Sequence, residues 1–187
     1  MRNLNLPNLL TLLRVALTPF VVQAILERRF GRALAILLVA GITDVLDGLA
    51  ARGLHLQSRF GAYLDPIADK ALLTACYLAL GLAHAVPWWL VGLIFGRDLL
   101  ILLLSAAALL FTSYREFPPS IWGKLSTFCQ IGAAVMVLTA GAFPGLGMPT
   151  DPFLWIAALA TAWSGADYFA RAIGKLRARH DPSAQSH

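Results

Sequence analysis

GITDVLDGLAARGLHLQSRFGAYLDPIADK, residues 41–70, places four aspartates, Asp44, Asp47, Asp65 and Asp69, in a chain that otherwise reads as lipid-soluble. Of its 187 residues 58% are hydrophobic and 13% charged, too little polar surface for a water-soluble domain of this length. Crossing the hydrocarbon of a bilayer takes about 20 mostly apolar helical residues. Six stretches qualify, at 9–26, 33–51, 62–83, 87–111, 121–142 and 153–173. The expected fold is therefore an all-α integral membrane protein with six transmembrane helices and no separate soluble domain. The opening MRNLNLPNLLTLLR alternates leucines with Asn3, Asn5 and Arg14 and suggests a short N-terminal interfacial helix.

The flanking charges set an orientation. Net charge is +5. With alternating helices, Arg2, Arg52, Arg59, Arg115, Lys124, Arg171, Lys175, Arg177 and Arg179 share one side, while the loops at 84–86 and 143–151 hold no Lys or Arg. That side is expected to face the cytoplasm, in a cell inner (plasma) membrane. Arg28, Arg29 and Arg32 fall on the other side and break the rule. Because these charges flank apolar spans, they suit anionic lipid head groups, and nucleic acid is not expected as a partner. The first apolar run is interrupted by Arg14 and followed by Glu27-Arg28-Arg29 rather than by a small-residue cleavage site, so the first helix is expected to be retained. Cys76 and Cys129 lack any CxxC or Cys/His spacing and read as small core residues. His55 and His84 are lone loop histidines without ligand spacing.

An intramembrane carboxylate costs about 3 kcal/mol on insertion scales, so four within one hairpin need a shared purpose. Asp44 and Asp47 are three apart and Asp65 and Asp69 four apart, which puts each pair on one helical face. A short linker near Leu56 folds the two helices antiparallel, bringing Asp47 level with Asp65 and Asp44 level with Asp69. Four facing carboxylates repel unless cations lie between them, and all-oxygen ligands select hard divalent ions, Mg2+ or Mn2+. Two such ions about 4 Å apart are a recurrent device for displacement at phosphorus. Gly48, Ala51 and Gly61 leave room beside the acids, and Arg52 can meet a phosphate. Helix capping or pairing with Arg52, Arg59 or Lys70 explains one such acid but not the set. A transporter pathway, or a non-enzymatic scaffold, is the alternative of a different class; a transporter predicts acids spread through the membrane and a two-fold repeat, neither of which is visible.

Asp44-x2-Asp47-Gly48-x2-Ala51-Arg52-x8-Gly61-x3-Asp65-x3-Asp69 resembles the motif of the CDP-alcohol phosphotransferase (CDP-alcohol phosphatidyltransferase) family at every fixed position. The opening LPNLLTLLR and the six spans extend the resemblance over nearly the whole chain, residues 1–175, with 176–187 left as a polar tail expected to be disordered. The resemblance implies a membrane enzyme that moves a substituted phosphate from a CDP-linked donor to an alcohol and releases CMP. It makes Asp44, Asp47 and Asp65 metal ligands of two divalent cations. Asp69 becomes the general base on the acceptor hydroxyl and a further ligand, and Gly48, Ala51 and Arg52 line the CDP site. It also implies a homodimer.

The acceptor is read from helices 4 and 5. Arg97 and Asp98, in GRDLLILLLSAAALL, are either an internal ion pair or an anion contact in the cavity. The phosphatidylglycerophosphate synthase branch resembles this segment but carries a second arginine where this chain has Ser105, and a lysine where GKLST (123–127) has Ser126. GRDLLILL followed by SIWGKLSTFCQ is more similar to the CMP-forming cardiolipin synthases, with Lys124 as a head-group contact or a snorkelling surface lysine. The expected reaction is thus transfer from CDP-diacylglycerol to phosphatidylglycerol, with glycerol 3-phosphate as the alternative acceptor.

Overall fold

The computed structural model describes residues 6–54, 59–111 and 121–178, with side chains described for 13–43, 70–103 and 121–171. The described residues form six α-helices and no strand: α1 (Leu6–Leu26), α2 (Phe30–Leu54), α3 (Arg59–Leu82), α4 (Trp88–Phe111), α5 (Ile121–Ala142) and α6 (Asp151–Ala178), with a 3-10 turn at Pro144–Leu146. Each helix has 21 to 28 residues, enough at about 1.5 Å per residue to cross a hydrocarbon layer of about 30 Å. Among the described residues one helix, Ile121–Ala142, is both long and apolar enough to cross a membrane by composition; Leu13–Leu26, Phe30–Thr43 and Lys70–Leu82 are shorter apolar helices. The acids of α2 and α3, and Asp167 and Arg171 of α6, interrupt the apolar pattern of those helices.

The expected interfacial helix is not separate from Leu6 onward, because α1 runs unbroken from Leu6 to Leu26. Pro7 lies in the first turn, where a missing N–H costs no hydrogen bond. At the other end α6 continues to Ala178 and so includes the first three residues of the expected tail, 176–187; residues 179–187 lie outside the described set.

The chain divides into two compact units. In the first, residues 1–87 and 134–150, α1 packs along both α2 and α3. Val21, Ala24 and Ile25 of α1, Ala33 and Ala40 of α2, and Cys76, Tyr77 and Leu80 of α3 are buried there, with Ala134 and Leu138 from the last half of α5. Ala33 and Ala40 on α2 are small enough to let the backbones approach closely. Where α5 meets the start of α2, Gly141 is required: a Cβ built on it would lie 2.5 Å from the Phe30 ring.

Both helices that end together in this unit close in the same way. The amide of Arg28 donates to the Ile25 carbonyl and that of Arg29 to the Ala24 carbonyl; His84 and Ala85 repeat the pattern onto Gly81 and Leu80. These are Schellman caps, whose left-handed residue is usually glycine. Here Arg28 (φ 57°) and His84 (φ 56°) occupy it, at a cost of about 1 kcal/mol each.

The second unit, residues 88–133 and 151–187, packs α4 against α6, with the first half of α5 completing it. Trp89 stacks at 5.1 Å on Trp155, and Trp122 meets Trp163 edge-on at 5.9 Å. Its exterior is apolar: Phe128 is 74% and Leu159 68% exposed. Its interior holds Arg97, Ser126, Gln130, Thr161 and Ser164, all buried. Bulky apolar side chains outside and polar ones inside are the pattern of a protein whose solvent is lipid.

Candidate active site

The second half of α2 carries Asp44, Asp47, Gly48, Ala51 and Arg52, and the first half of α3 carries Gly61, Asp65 and Asp69. Continuous helix through both segments puts Asp44 with Asp47, and Asp65 with Asp69, on shared faces as the spacing requires. The side chains of residues 44–69 lie outside the described set, and so does the expected pairing across the hairpin, together with Leu56, His55 and Ser105. Thr43, the last described side chain before the acids, turns its hydroxyl back into the helix, donating to the carbonyls of Val39 (2.7 Å) and Ala40 (2.9 Å). Among the described side chains no three His, Cys, Asp or Glu residues cluster. The α2–α3 carboxylates expected from the sequence as metal ligands lie outside the side chains so described; all-oxygen ligands are of the type that suits Mg2+ or Mn2+.

Arg97 is the best-defined polar group of the second unit. Its Nη1 donates to Asp98 Oδ1 at 2.6 Å and its Nη2 to Ser164 Oγ at 2.8 Å, with the Gly123 carbonyl at 3.5 Å. The ion-pair reading of Arg97 and Asp98 therefore describes their geometry, and the guanidinium is additionally tied to α5 and α6. Gly123 makes this possible: a Cβ there would stand 3.2 Å from Arg97 Nη2 and 3.5 Å from the Tyr168 ring. Among the described residues, Arg97 Nε is buried without a hydrogen-bond partner. An orphaned donor on a buried cation is expensive, and an anion oxygen is its natural complement. Lys124 follows Gly123 on α5 and is exposed.

Ser126 is fully buried against α6. It donates to Thr161 Oγ1 (3.3 Å) and accepts from Gln130 Nε2 (3.3 Å), which also donates to Thr161 (2.9 Å); Thr161 in turn donates to the Ala157 carbonyl at 2.6 Å. A residue singled out as a missing lysine is thus a neutral link between two helices. Reasoning from sequence passed over Gly123 and Ser164 as partners of Arg97, and Tyr168 beside Gly123. Their signal was present as a Ser-x3-Tyr pair, four apart in WSGADYFAR, on one face of an otherwise apolar helix.

The sequence model of CDP-alcohol phosphatidyltransferases matches residues 4–163. The chain belongs to the CDP-alcohol phosphatidyltransferase family. It is similar to a Mycobacterium tuberculosis protein named "Probable phosphatidylglycerophosphate synthase", 37% identical over 179 residues covering 90% of this chain and 82% of that one. It is also similar to a Drosophila melanogaster protein named "Probable cardiolipin synthase (CMP-forming)", 31% identical over 184 residues, 88% of this chain and 56% of that one. The "Cardiolipin synthase (CMP-forming)" of Rattus norvegicus is 39% identical over 114 residues, 60% of this chain and 36% of that one. The protein is accordingly a phosphatidyltransferase of phospholipid biosynthesis, from a membrane-associated family that transfers phosphatidyl groups and uses divalent metal ions.

Proposed function

We propose that this phosphatidyltransferase moves the phosphatidyl group of CDP-diacylglycerol onto phosphatidylglycerol, giving cardiolipin and CMP. The hydroxyl oxygen of the acceptor forms a bond to the phosphatidyl phosphorus while the bond from that phosphorus to CMP breaks. Asp69 takes the hydroxyl proton. Asp44, Asp47, Asp65 and Asp69 would hold two divalent cations, which would supply Lewis-acid stabilisation of charge on the phosphoryl group and departing CMP. Gly48 and Ala51 leave space for the CDP moiety, and Arg52 supplies a cation to its phosphates. Six spans, an inner-membrane location with the acids on the cytoplasmic side, and a homodimer complete the reading.

The observation that carries the acceptor is the balance of charge around Arg97. Its positive charge is already matched by Asp98, and Ser126 adds a neutral hydroxyl rather than a second cation. A site of little net charge with one spare guanidinium donor favours a phosphodiester monoanion over a phosphomonoester, which needs more cations. Arg97 and the exposed Lys124 are the proposed acceptor contacts. Glycerol 3-phosphate remains the second reading, favoured by the extent of the match to the Mycobacterium tuberculosis relative.

Purified protein with CDP-diacylglycerol and Mg2+, offered each acceptor separately, tests both readings through CMP release and lipid product. Cardiolipin from phosphatidylglycerol alone is expected. Asp69→Asn should lower CMP release by roughly 10²- to 10⁴-fold, as loss of a general base does. Phosphatidylglycerophosphate from glycerol 3-phosphate would overturn the choice of acceptor, and undiminished release by Asp69→Asn would overturn the role of that residue.

A further inference from the structure

Of the three arginines that break the charge rule, Arg28 and Arg29 follow directly on Leu26 and Glu27, which line one end of an apolar groove, and Arg32 lies in the first turn of α2. Val15, Pro19, Val22 and Leu26 form one stripe of α1, and with Ala71 of α3 they bound a cavity of about 480 Å³. From Val15 to Leu26 the stripe is about 16 Å long, half of a hydrocarbon layer about 30 Å thick, which is the depth of a single leaflet. Its polar end is closed by Gln23, whose amide donates to Glu27 Oε1 at 2.8 Å. Glu27 is also paired with Arg29 at 3.3 Å. Arg28 and Arg32, both exposed, have no ion pair or hydrogen bond among the described side chains. Arg28 moreover holds the left-handed cap position that its backbone would yield more readily to glycine. A cation kept in a strained position at the end of a leaflet-deep apolar groove, four residues before a second unpaired cation, has the layout of an amphiphile's complement.

We propose that this groove binds an anionic phospholipid of the leaflet facing the α1–α2 turn, one acyl chain along the α1 stripe and the phosphate between Arg28 and Arg32. The site is distinct from the acids: Arg32 and Asp44 are twelve residues apart on α2, about 18 Å along its axis. The occupant is therefore a bound lipid rather than a reacting one, and the partner follows from charge and length together, since a neutral lipid leaves both arginines unmatched.

The test uses the full chain in neutral detergent, titrated with dioleoylphosphatidylserine, an anionic lipid that is not the proposed acceptor, or dioleoylphosphatidylcholine while binding is followed by native mass spectrometry and unfolding by tryptophan fluorescence. Phosphatidylserine is expected to bind and raise the melting temperature, phosphatidylcholine to do neither. Arg28→Gly/Arg32→Gln should weaken binding roughly thirtyfold, two arginines at about 1 kcal/mol each and 1.4 kcal/mol per decade. Its CMP release should match the wild type. Because glycine suits the cap, the double variant should melt no lower than wild type without lipid, which separates lost binding from lost folding. Val22→Trp, which fills the groove and keeps both arginines, should also lose the lipid. Equal affinity for both lipids, unchanged affinity in either variant, or stabilisation that follows self-association instead of lipid would each overturn the proposal.

Discussion

Arg97 can be removed in two ways that separate what it holds together from what it binds. Its side chain is 6% exposed and that of Asp98 23%, so Arg97→Met leaves a largely buried carboxylate without its 2.6 Å partner. Breaking a buried pair from one side costs up to about 3–5 kcal/mol, because the remaining charge loses that partner. For a chain of this size that lowers the melting temperature by roughly 10 °C. Arg97→Met/Asp98→Leu removes both charges, and replacement of a whole buried pair by apolar residues is close to neutral or stabilising. The double variant should therefore melt within a few degrees of wild type. If Arg97 offers its free Nε to the acceptor, CMP release stays depressed in the double variant and the deficit lies in the acceptor KM at fixed CDP-diacylglycerol. Loss of a hydrogen bond to a charged group, about 1.5–3 kcal/mol, corresponds to roughly ten- to hundredfold. Melting curves on both variants and an acceptor titration check this. Recovery of activity together with stability would refute the binding role and leave Arg97 as a structural ion pair only.

Glycines on the helices should split into two classes. Gly141→Ala drives a methyl group to 2.5 Å from the Phe30 ring, so overpacking of about 1–3 kcal/mol should outweigh the helix-propensity gain of about 1 kcal/mol, whereas Gly92→Ala and Gly132→Ala meet nothing within 4 Å and should be neutral or stabilising; thermal unfolding of the three variants measures the difference. Thr161→Val removes the acceptor shared by Ser126 and Gln130 and should cost about 1–2 kcal/mol; restoring stability by the further change Gln130→Leu, in a double-mutant cycle, would show that the penalty is the unmet amide.

Helix positions were legible because hydropathy and punctuation agree. Span 121–142 coincides with α5, and the expected 87–111 differs from α4 only in that Pro87 precedes the helix. A separate interfacial helix was expected from Asn3, Asn5 and Arg14, but from Leu6 onward Pro7 and Arg14 belong to one continuous helix, with Pro7 in its first turn. The acids stand out in the sequence by cost alone, because carboxylates in an apolar helix are expensive, while their side chains lie outside the described residues. The partners of Arg97 do not stand out in this way. They come from helices 26 and 67 positions away, and hydrogen bonds across such separations leave no periodicity in the segment where the arginine is found. Ser126 shows the complementary difficulty: compared with a branch that has lysine there it reads as a loss, but packed against Thr161 it is a contact in its own right.

The two polar groups of the second unit form one seam. On α5 the participating residues are Gly123, Ser126 and Gln130; on α6 they are Ala157, Thr161, Ser164 and, against Gly123, Tyr168. Steps of three and four residues keep each set on one face, so the seam runs along both helices. In lipid, apolar faces give little preference for one register over another, because a hydrocarbon tail is as good a neighbour as a leucine. Hydrogen bonds at fixed steps do discriminate, since a slip of one residue would bury several unpaired groups. The register they fix is the one in which Ser164 and Gly123 meet the guanidinium of Arg97. A neutral hydroxyl–amide seam thus holds a buried cation in one orientation without adding charge to it. The anion-binding role proposed for Arg97 needs that combination: rigidity from neutral partners, compensation from one adjacent carboxylate, and a single donor left over.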